Sequence, residues 1–150
     1  MVHILTYEGT RVKSFRPHGA SVVDIKICDD DEFVATASVE GESRTSCMGA
    51  GPGLIKAGRV MINGITSTEK YAADMKRPVK AIALEPGFAR RTSRAFVCGG
   101  MGGALVMHEK GWLGHKEVVL HSGEGPVYAI QWRGSLIAWA NDLVSGFGFR

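Results

Sequence analysis

The glycine-rich stretch GAGPGLIKAGR, residues 49–59, contains a lysine and is a candidate for holding a phosphate group. Gly53 and Gly58 are spaced as in a P-loop, but Arg59 follows where that motif requires lysine and then serine or threonine. A dinucleotide fingerprint would need a third glycine where Leu54 stands, and a helix after it. Neither signature is complete. A small nucleotide-binding enzyme remains an alternative class, which nucleotide binding in calorimetry would support.

Three histidines, His108, His115 and His121, are spaced seven and six residues apart and could converge on a metal if they lay on adjacent strands. No carboxylate or cysteine completes the set at a recognisable spacing, so solvated or turn-bonded histidines are expected. His121, Ser122 and Glu124 include the residue types of a hydrolase triad. Sequence neighbours rarely meet with triad geometry, however, and no GxSxG motif is present. We therefore expect no catalytic, cofactor-binding or metal-binding residues.

Aromatic side chains and one early histidine are expected to support the fold. Trp132 and Trp139 lie among alternating apolar residues, so they should pack between sheets. Trp112 lies in a predicted loop, where it could anchor a partner or merely cover its own loop. His18 precedes a predicted strand and is expected to brace a turn.

Two groups of basic residues flank the predicted strand that starts at Val79. They are Lys76, Arg77 and Lys80, and Arg90, Arg91 and Arg94. Such runs commonly form a solvated face. Near an acidic membrane surface each charge would contribute ~1 kcal/mol, so a peripheral membrane contact or an acidic partner is the functional alternative.

The composition is that of an ordinary globular protein, with 45% of the 150 residues hydrophobic and 22% charged. The formal net charge of +3 is too small to indicate nucleic-acid binding. No apolar run reaches the ~18 residues of a membrane span, and no signal peptide is expected. Cys28, Cys47 and Cys98 lack CxxC spacing, which argues against a disulfide framework or zinc site and favours a reducing compartment.

Short apolar runs are separated by turns rich in glycine, of which the chain has 20, a pattern typical of all-β proteins. The runs are rich in Val, Ile, Phe and Trp and lack a ~3.6-residue period, so helix should be nearly absent. We predict strands at Val2–Thr6, Val22–Ile27, Phe33–Ser38, Arg59–Gly64, Lys70–Met75, Val79–Leu84, Arg94–Gly99, Ala104–His108, Glu117–His121, Val127–Trp132 and Leu136–Ala140.

Three of the predicted strands form an internal repeat: SVVDIKI from Ser21, PVKAIAL from Pro78 and PVYAIQW from Pro126. Each is followed by a second strand of similar character. Short strands that repeat every ~40–45 residues indicate a β-propeller. The spacing between the first two repeats exceeds this period, and removing residues 42–58 reduces it to about 40 residues.

Longer segments carry a specific resemblance. FRPHGASVVDIKI, EFVATASVEG, KRPVKAIALEPGFARRTSRAFVCGG and GEGPVYAIQWRGSLIAWAND together resemble the N-terminal propeller of the vacuolar protein sorting 41 family. The resemblance extends from Val2 to Leu143, apart from residues 42–58. It implies an all-β fold, a partial WD40-like β-propeller of about three blades, because family members continue into further blades and a helical solenoid.

The resemblance also implies a function, that of a non-enzymatic scaffold in vesicle tethering and in protein transport to the vacuole and late endosome. The implied partners are the other subunits of the HOPS tethering complex, a late-endosomal Rab GTPase and a sorting adaptor, with no cofactor. The implied location is the cytoplasmic face of late endosome and vacuole membranes. Another propeller-type interaction protein without a membrane role is the alternative.

Residues 42–58 are predicted to be an irregular, glycine-rich insert outside the propeller. The codons of residues 41–43 can contain GTGAGT, a common 5′ splice sequence, and those of residues 57–58 can contain the terminal AG of an intron. A retained intron and a genuine surface loop both fit this pattern. The codons of residues 144–145 can again contain a 5′ splice sequence, so residues 144–150 are predicted to be a non-native tail.

Overall fold

The computed structural model describes residues 1–39, 42–44, 54–111, 114–123 and 125–142. Within these ranges all regular secondary structure is β-strand, as the apolar runs predict. The strands are β1 (Val2–Leu5), β2 (Arg11–Phe15), β3 (Val22–Ile27), β4 (Phe33–Ser38), β5 (Glu42–Arg44), β6 (Leu54–Lys56), β7 (Gly58–Gly64), β8 (Lys70–Met75), β9 (Val79–Leu84), β10 (Phe96–Gly100), β11 (Ala104–Gly111), β12 (Gly114–Ser122), β13 (Val127–Arg133) and β14 (Leu136–Asn141).

Two four-stranded antiparallel sheets form the centre of the described structure. The first blade has the strand order β3-β4-β7-β8 and the second blade has the order β9-β10-β11-β12. The strands β13 and β14 form a half-blade, and β1 and β2 form an N-terminal hairpin. The strand β9 packs against β3 and β4 on one side and against β13 on the other. The described residues therefore form an open, partial propeller with blades stacked face to face.

The hydrophobic core lies between these stacked sheets in two clusters, and β9 contributes to both. Ile82 and Leu84 belong to the cluster between the first and second blades, whereas Ala81 and Ala83 belong to the cluster shared with the half-blade. This division follows from the two-residue period of a strand, which directs successive side chains to opposite faces. A strand buried on both faces needs apolar residues throughout, which explains the sequence VKAIAL.

The two clusters share a pattern of sizes. Between the first two blades, Ala35, Ala37, Val60 and Ile62 of the first blade meet Ile82, Leu84, Phe96 and Cys98 of the second. Between the second blade and the half-blade, Ala81, Ala83, Val97 and Leu105 meet Val127, Ile130, Trp132 and Ile137. In both interfaces the preceding blade contributes two alanines, from β4 in the first interface and from β9 in the second, and the following blade contributes mainly branched or aromatic side chains. Each large side chain so buried contributes roughly 1.5–3 kcal/mol.

Three aspartates of the first blade hold the second blade through its backbone. Asp24 Oδ2 accepts a hydrogen bond from the Ile82 amide at 2.9 Å. Asp29 Oδ1 accepts one from the Gly87 amide at 2.7 Å. Asp30 Oδ2 likewise accepts one from the Ala89 amide at 3.0 Å. Because side-chain acceptors are paired with specific amides, these bonds fix how the two blades are aligned.

The predicted strands at Val22–Ile27, Phe33–Ser38, Lys70–Met75 and Val79–Leu84 have the observed bounds. The sequence missed β2, and the loop predicted around GWLGHK is wrong. The strands β11 and β12 continue toward each other until Gly111 pairs with Gly114. Glu109 pairs with Lys116 on this extension, and such opposite charges across a ladder stabilise exposed strands that lack apolar residues.

The prediction that residues 42–58 are irregular is wrong at both ends of that segment. The strands β5 and β6 pair antiparallel over three residues each, with Glu42 opposite Lys56. A two-stranded ribbon therefore connects β4 to β7. Residues 45–53, which include the centre of the glycine-rich stretch, lie outside the described ranges.

Gly58 belongs to the propeller, so the predicted insert ends one residue too late. It is buried as the first residue of β7, opposite Met75. A Cβ at this position would lie 2.7 Å from both the Arg77 carbonyl oxygen and the Val79 amide nitrogen. Only glycine permits this close approach of the connection between the two blades.

Candidate interaction surfaces

His108 lies on β11 and is buried, so the prediction of a solvated or turn-bonded histidine is wrong at this position. Its ring stacks on Phe96 with 4.8 Å between centroids and 10° between planes. Burial lowers the pKa of His108, against the opposing effect of the Glu117 carboxylate, whose Oε1 lies 3.8 Å from Nδ1. The imidazole is therefore a neutral part of the core near pH 7.

The other two histidines pack against different aromatic rings. The Tyr71 hydroxyl lies 2.7 Å from a ring nitrogen of His115, and burial raises the pKa of Tyr71, which keeps that hydroxyl protonated. The ring of His121 lies 5.2 Å from that of Trp139. Among the described residues no three His, Cys, Asp or Glu side chains are grouped to hold a metal ion.

His18 and the described tryptophans connect elements of the fold. His18 is buried, and its Nε2 lies 2.8 Å from Thr36 Oγ1. The contact joins the segment before β3 to β4, so its partner lies 18 residues away in the chain and not in the turn that the sequence predicted. Trp132 packs against the cluster between the second blade and the half-blade, as predicted. Trp139 contacts His121 of the second blade but remains 41% exposed.

Cys28 and Cys98 are free thiols with no sign of activation. Burial, and then the hydrogen bond to Asp30, raise the pKa of Cys28 to about 11. Burial, and then the charge of Glu117, raise the pKa of Cys98 to about 12. Because the thiolate is the reactive form, neither residue is suited to nucleophilic catalysis.

The two basic groups differ in their pairing. In the second group, Arg91 lies 3.5 Å from Glu85 Oε1 and Arg94 lies 3.0 Å from Glu69 Oε2. In the first group, Lys76 and Arg77 are exposed in the connection between the two blades and pair with no carboxylate among the described residues. The first group therefore offers the stronger unneutralised positive charge.

Two grooves with charges of both signs offer surfaces for recognition. The larger, of about 460 Å³, lies where the ends of β3, β9 and β13 come together. Its polar lining comprises Lys26, Asp29, Glu85, Gln131 and Arg133. The second, of about 360 Å³, is lined mostly by residues of the second blade and by Lys76 and Arg77 of the first basic group. Mixed charge of this kind suits polar contacts with another protein, since complementary charge gives specificity.

The structure provides no architecture for a nucleotide at the described end of the glycine-rich stretch. β6 and β7 follow one another there with only Ala57 between them. A phosphate loop would instead direct the amides of a helix N-terminus at the ligand.

Other sequence predictions rest on residues outside the described ranges, namely Trp112, Glu124, Cys47 and residues 144–150. Within those ranges no helix has the length and apolar character needed to cross a bilayer.

Four-stranded antiparallel blades stacked face to face define the class of protein as a β-propeller, of which the described residues form a part. A family model for the Vps41 propeller, described as "Vps42 beta-propeller", matches residues 56–145. The chain belongs to this vacuolar protein sorting 41 family.

Curated relatives agree with this assignment. The chain is 43% identical over 141 residues to the vacuolar protein sorting-associated protein 41 homolog of Solanum lycopersicum, which covers 94% of this chain and 13% of that protein. The chain is also 43% identical over 143 residues to the Arabidopsis thaliana homolog, and this alignment covers 95% of the chain and 13% of that homolog. It is 34% identical over 142 residues to the vacuolar protein sorting-associated protein 41 of Schizosaccharomyces pombe, and this alignment covers 95% of the chain and 14% of that protein. The chain thus spans a small part of the length of these relatives. No solved structure matches it significantly.

Proposed function

We propose that this chain is a non-enzymatic scaffold in vesicle tethering and in protein transport to the vacuole and late endosome. The observation that carries the proposal is the 43% identity to relatives named for vacuolar protein sorting, over 94–95% of the chain. Its proposed partners are the other subunits of a HOPS-type complex, a late-endosomal Rab GTPase and a sorting adaptor. Its proposed location is the cytoplasmic face of late endosome and vacuole membranes.

The described surface supports a role in binding. His108, His115 and His121 are each engaged with an aromatic ring, and the two described thiols are kept protonated by burial. Rigid stacked blades hold loops and grooves in fixed positions, which is how scaffolds present broad surfaces to several proteins. The two grooves of mixed charge are concave parts of that surface.

Affinity purification of the tagged chain from Arabidopsis cells tests the proposed partners. We expect HOPS subunits and a late-endosomal Rab GTPase to be enriched over a tag-only control. Val34→Asp places a charge at a fully buried position and should abolish the enrichment, because the first blade cannot fold around it. Tyr7→Asp changes a position that is 98% exposed and outside both grooves, and it should retain the enrichment. Enrichment of unrelated proteins alone would support an interaction module without a membrane role.

Vesicle flotation tests the peripheral membrane contact. The chain should float with vesicles containing acidic lipids, and reversing Lys76 and Arg77 to glutamate should weaken binding about tenfold or more, since each charge contributes ~1 kcal/mol. Reversing Arg91 and Arg94 to glutamate is the matched control, because these arginines are already paired with Glu85 and Glu69 and should matter less. Equal losses from both variants would contradict a contact through the first basic group.

A further inference from the structure

The loop between β9 and β10, residues 85–95, contains the sequence Arg90-Arg91-Thr92-Ser93. Arginine-directed protein kinases select a serine with arginines at the third and second preceding positions, because acidic side chains in their clefts pair with the guanidinium groups. Arg90, Arg91 and Thr92 are exposed, and Ser93 is half-buried. The loop thus presents both recognition residues to solvent, with a serine at the required spacing.

This loop belongs to a complete blade and contacts another complete blade. Both the first and the second blade have four strands. Asp29 and Asp30 of the first blade accept hydrogen bonds from the loop amides of Gly87 and Ala89. The position of the loop is therefore set by contacts within the described residues.

The hydroxyl of Ser93 is held by Glu85 at the start of the loop. Ser93 Oγ donates to Glu85 Oε2 at 2.6 Å, and the same oxygen accepts the Ala95 amide at 3.1 Å. Arg91 Nη1 lies 3.5 Å from the other carboxylate oxygen, Oε1. Glu85 therefore closes the loop, and a kinase can reach Ser93 only when these contacts open.

The backbone next to Ser93 is strained, which favours this opening. Arg94 has a φ of 37°, in the left-handed region that side chains other than glycine seldom adopt. Two contacts with the first blade hold it there. Its Nη1 lies 3.0 Å from Glu69 Oε2, and its guanidinium group lies 5.2 Å from the centre of the Phe33 ring. A strained residue held by such contacts relaxes when they break.

We propose that Ser93 is a phosphorylation site for an arginine-directed protein kinase. Ser93 Oγ attacks the γ-phosphorus of ATP, and a new bond forms between these two atoms. The bond from that phosphorus to the bridging oxygen breaks, ADP leaves, and the hydroxyl proton passes to the catalytic base of the kinase. The product is a phosphoserine with a charge of about −2.

Phosphorylation should rearrange the charges around Ser93. The modified Oγ has no proton to donate, and the phosphate repels the Glu85 carboxylate. Arg91 and Arg94, which flank Ser93 in the loop, can exchange their carboxylate partners for the phosphate, because guanidinium groups bind phosphate through paired hydrogen bonds. Arg94 then leaves Glu69 and Phe33, so the modification weakens one link between the first and second blades.

Phosphate transfer in vitro tests the site. The folded chain of 150 residues, incubated with ATP and the catalytic subunit of cyclic-AMP-dependent protein kinase, should acquire phosphate on Ser93, as mapped by tandem mass spectrometry. Ser93→Ala should abolish that phosphate. Thr92→Ala removes the neighbouring exposed hydroxyl and is the matched control, which should retain it. Modification confined to other residues would overturn the proposal.

Charge variants test recognition by the two arginines. The double change Arg90→Ala and Arg91→Ala should lower kcat/KM at Ser93 about tenfold or more, because the kinase loses both charged contacts. The double change Arg16→Ala and Lys116→Ala removes two exposed positive charges elsewhere and should leave kcat/KM unchanged. Circular dichroism confirms that each variant remains folded. Equal rates in both double variants would contradict recognition by Arg90 and Arg91.

Glu85→Gln should change the rate in the opposite direction. It keeps the shape of the side chain but removes the charge that strengthens the bond from Ser93, so kcat/KM should rise about twofold or more. A loop that was only loosened by the loss of Arg91 would likewise be modified faster, whereas recognition by the arginines requires a slower reaction. A lower rate in Glu85→Gln would show that Glu85 does not restrain the hydroxyl and would overturn this part of the proposal.

Hydrogen exchange tests the rearrangement after modification. The Ala95 amide should exchange about tenfold faster or more in the phosphorylated chain, because its acceptor Glu85 is repelled. The amide of Val97, buried inside the second blade, is the internal reference and should keep its rate. An unchanged rate at Ala95 would contradict the release of Glu85.

Discussion

At the scale of single residues, two hydroxyl groups on the same face of the first blade have opposite situations. Thr36 and Ser38 are both fully buried. The Thr36 hydroxyl is bonded to His18 Nε2 at 2.8 Å and lies 3.4 Å from the Met61 carbonyl, whereas Ser38 Oγ has no hydrogen-bond partner among the described residues. A buried polar group without a partner loses its interaction with water and gains nothing in return.

The paired substitutions Thr36→Val and Ser38→Ala should therefore have different effects on the free energy of unfolding. Thr36→Val removes satisfied hydrogen bonds and should lower the free energy of unfolding by about 1–2 kcal/mol. Ser38→Ala removes an unsatisfied group and should leave it within about 0.5 kcal/mol or raise it. Urea denaturation of both variants beside the parent chain measures the difference. Equal destabilisation would show that the Ser38 hydroxyl has a stabilising role.

His108 should make stability depend on pH in a defined direction. Its pKa in the folded chain is lowered from 6.5, chiefly by burial and also by the charge of His115, while Glu117 opposes the shift. Above pH 6.5 the neutral His108 ring makes its full contribution to the free energy of unfolding. As the pH falls toward the lowered folded pKa, the unfolded chain gains the proton first and the free energy of unfolding decreases.

His108→Phe retains the stacking on Phe96 and should remove this part of the pH dependence. Unfolding free energies between pH 5 and pH 8, compared with the parent, give the difference. His3→Phe is the control, since His3 is exposed and bonded only to Ser14 among the described contacts. An unchanged slope in His108→Phe would show that His108 does not titrate differently on folding.

At the scale of elements, the ribbon of β5 and β6 departs from the first blade at a position where glycine is needed. Deleting residues 42–58 joins Gly41 to Arg59, so glycine still occupies the position of Gly58 against Arg77 and Val79. We expect the deletion to leave the free energy of unfolding within about 1 kcal/mol, because surface insertions are tolerated. Making the same deletion with Gly41→Val should cost several times more, since a Cβ would meet backbone atoms at 2.7 Å.

The proposal that residues 42–58 are a retained intron adds a test at the level of DNA. The codons should then contain GT near the second base of codon 41 and AG ending at the first base of codon 58. Transcripts that uniformly retain the segment would contradict the intron and leave a genuine ribbon-shaped loop. The deletion variant would still report whether the first blade needs it.

Strands with at least one apolar side were predictable, whereas exposed strands rich in charge and glycine were not. The sequence VKAIAL of β9 has no polar position other than Lys80, so its extent can be read from composition. β2, with the sequence RVKSF, and the outer halves of β11 and β12 are rich in charge and glycine, and only cross-strand partners make them strands. The buried state of His108 and the bonds from Asp24, Asp29 and Asp30 arise from contacts between blades that a linear pattern does not contain.

At the scale of the whole molecule, exposed apolar side chains should govern folding. As 150 residues alone, the chain should unfold in urea with a broad transition that differs between fluorescence and circular dichroism, because Ile25 and Ile27 of the first blade are 45% and 54% exposed and lack a neighbouring blade among the described residues. Adding the following blades of a family relative should sharpen the transition and improve solubility more than deleting residues 42–58 does. A sharp two-state transition of the monomer would contradict this view and show a self-sufficient domain.

The three aspartates that reach from the first blade to the second give the molecule an internal reporter. The part-buried amides of Ile82 and Ala89 should exchange with deuterium mainly when the two blades separate, because their acceptors belong to the other blade. The amide of Val97, inside the second blade, exchanges only when that sheet itself opens. Deuterium uptake at these sites therefore separates the parting of intact blades from the loss of the blades themselves. Deuterium uptake measured after mixing with a binding protein would show whether that protein stabilises the contact between the two blades or separates them.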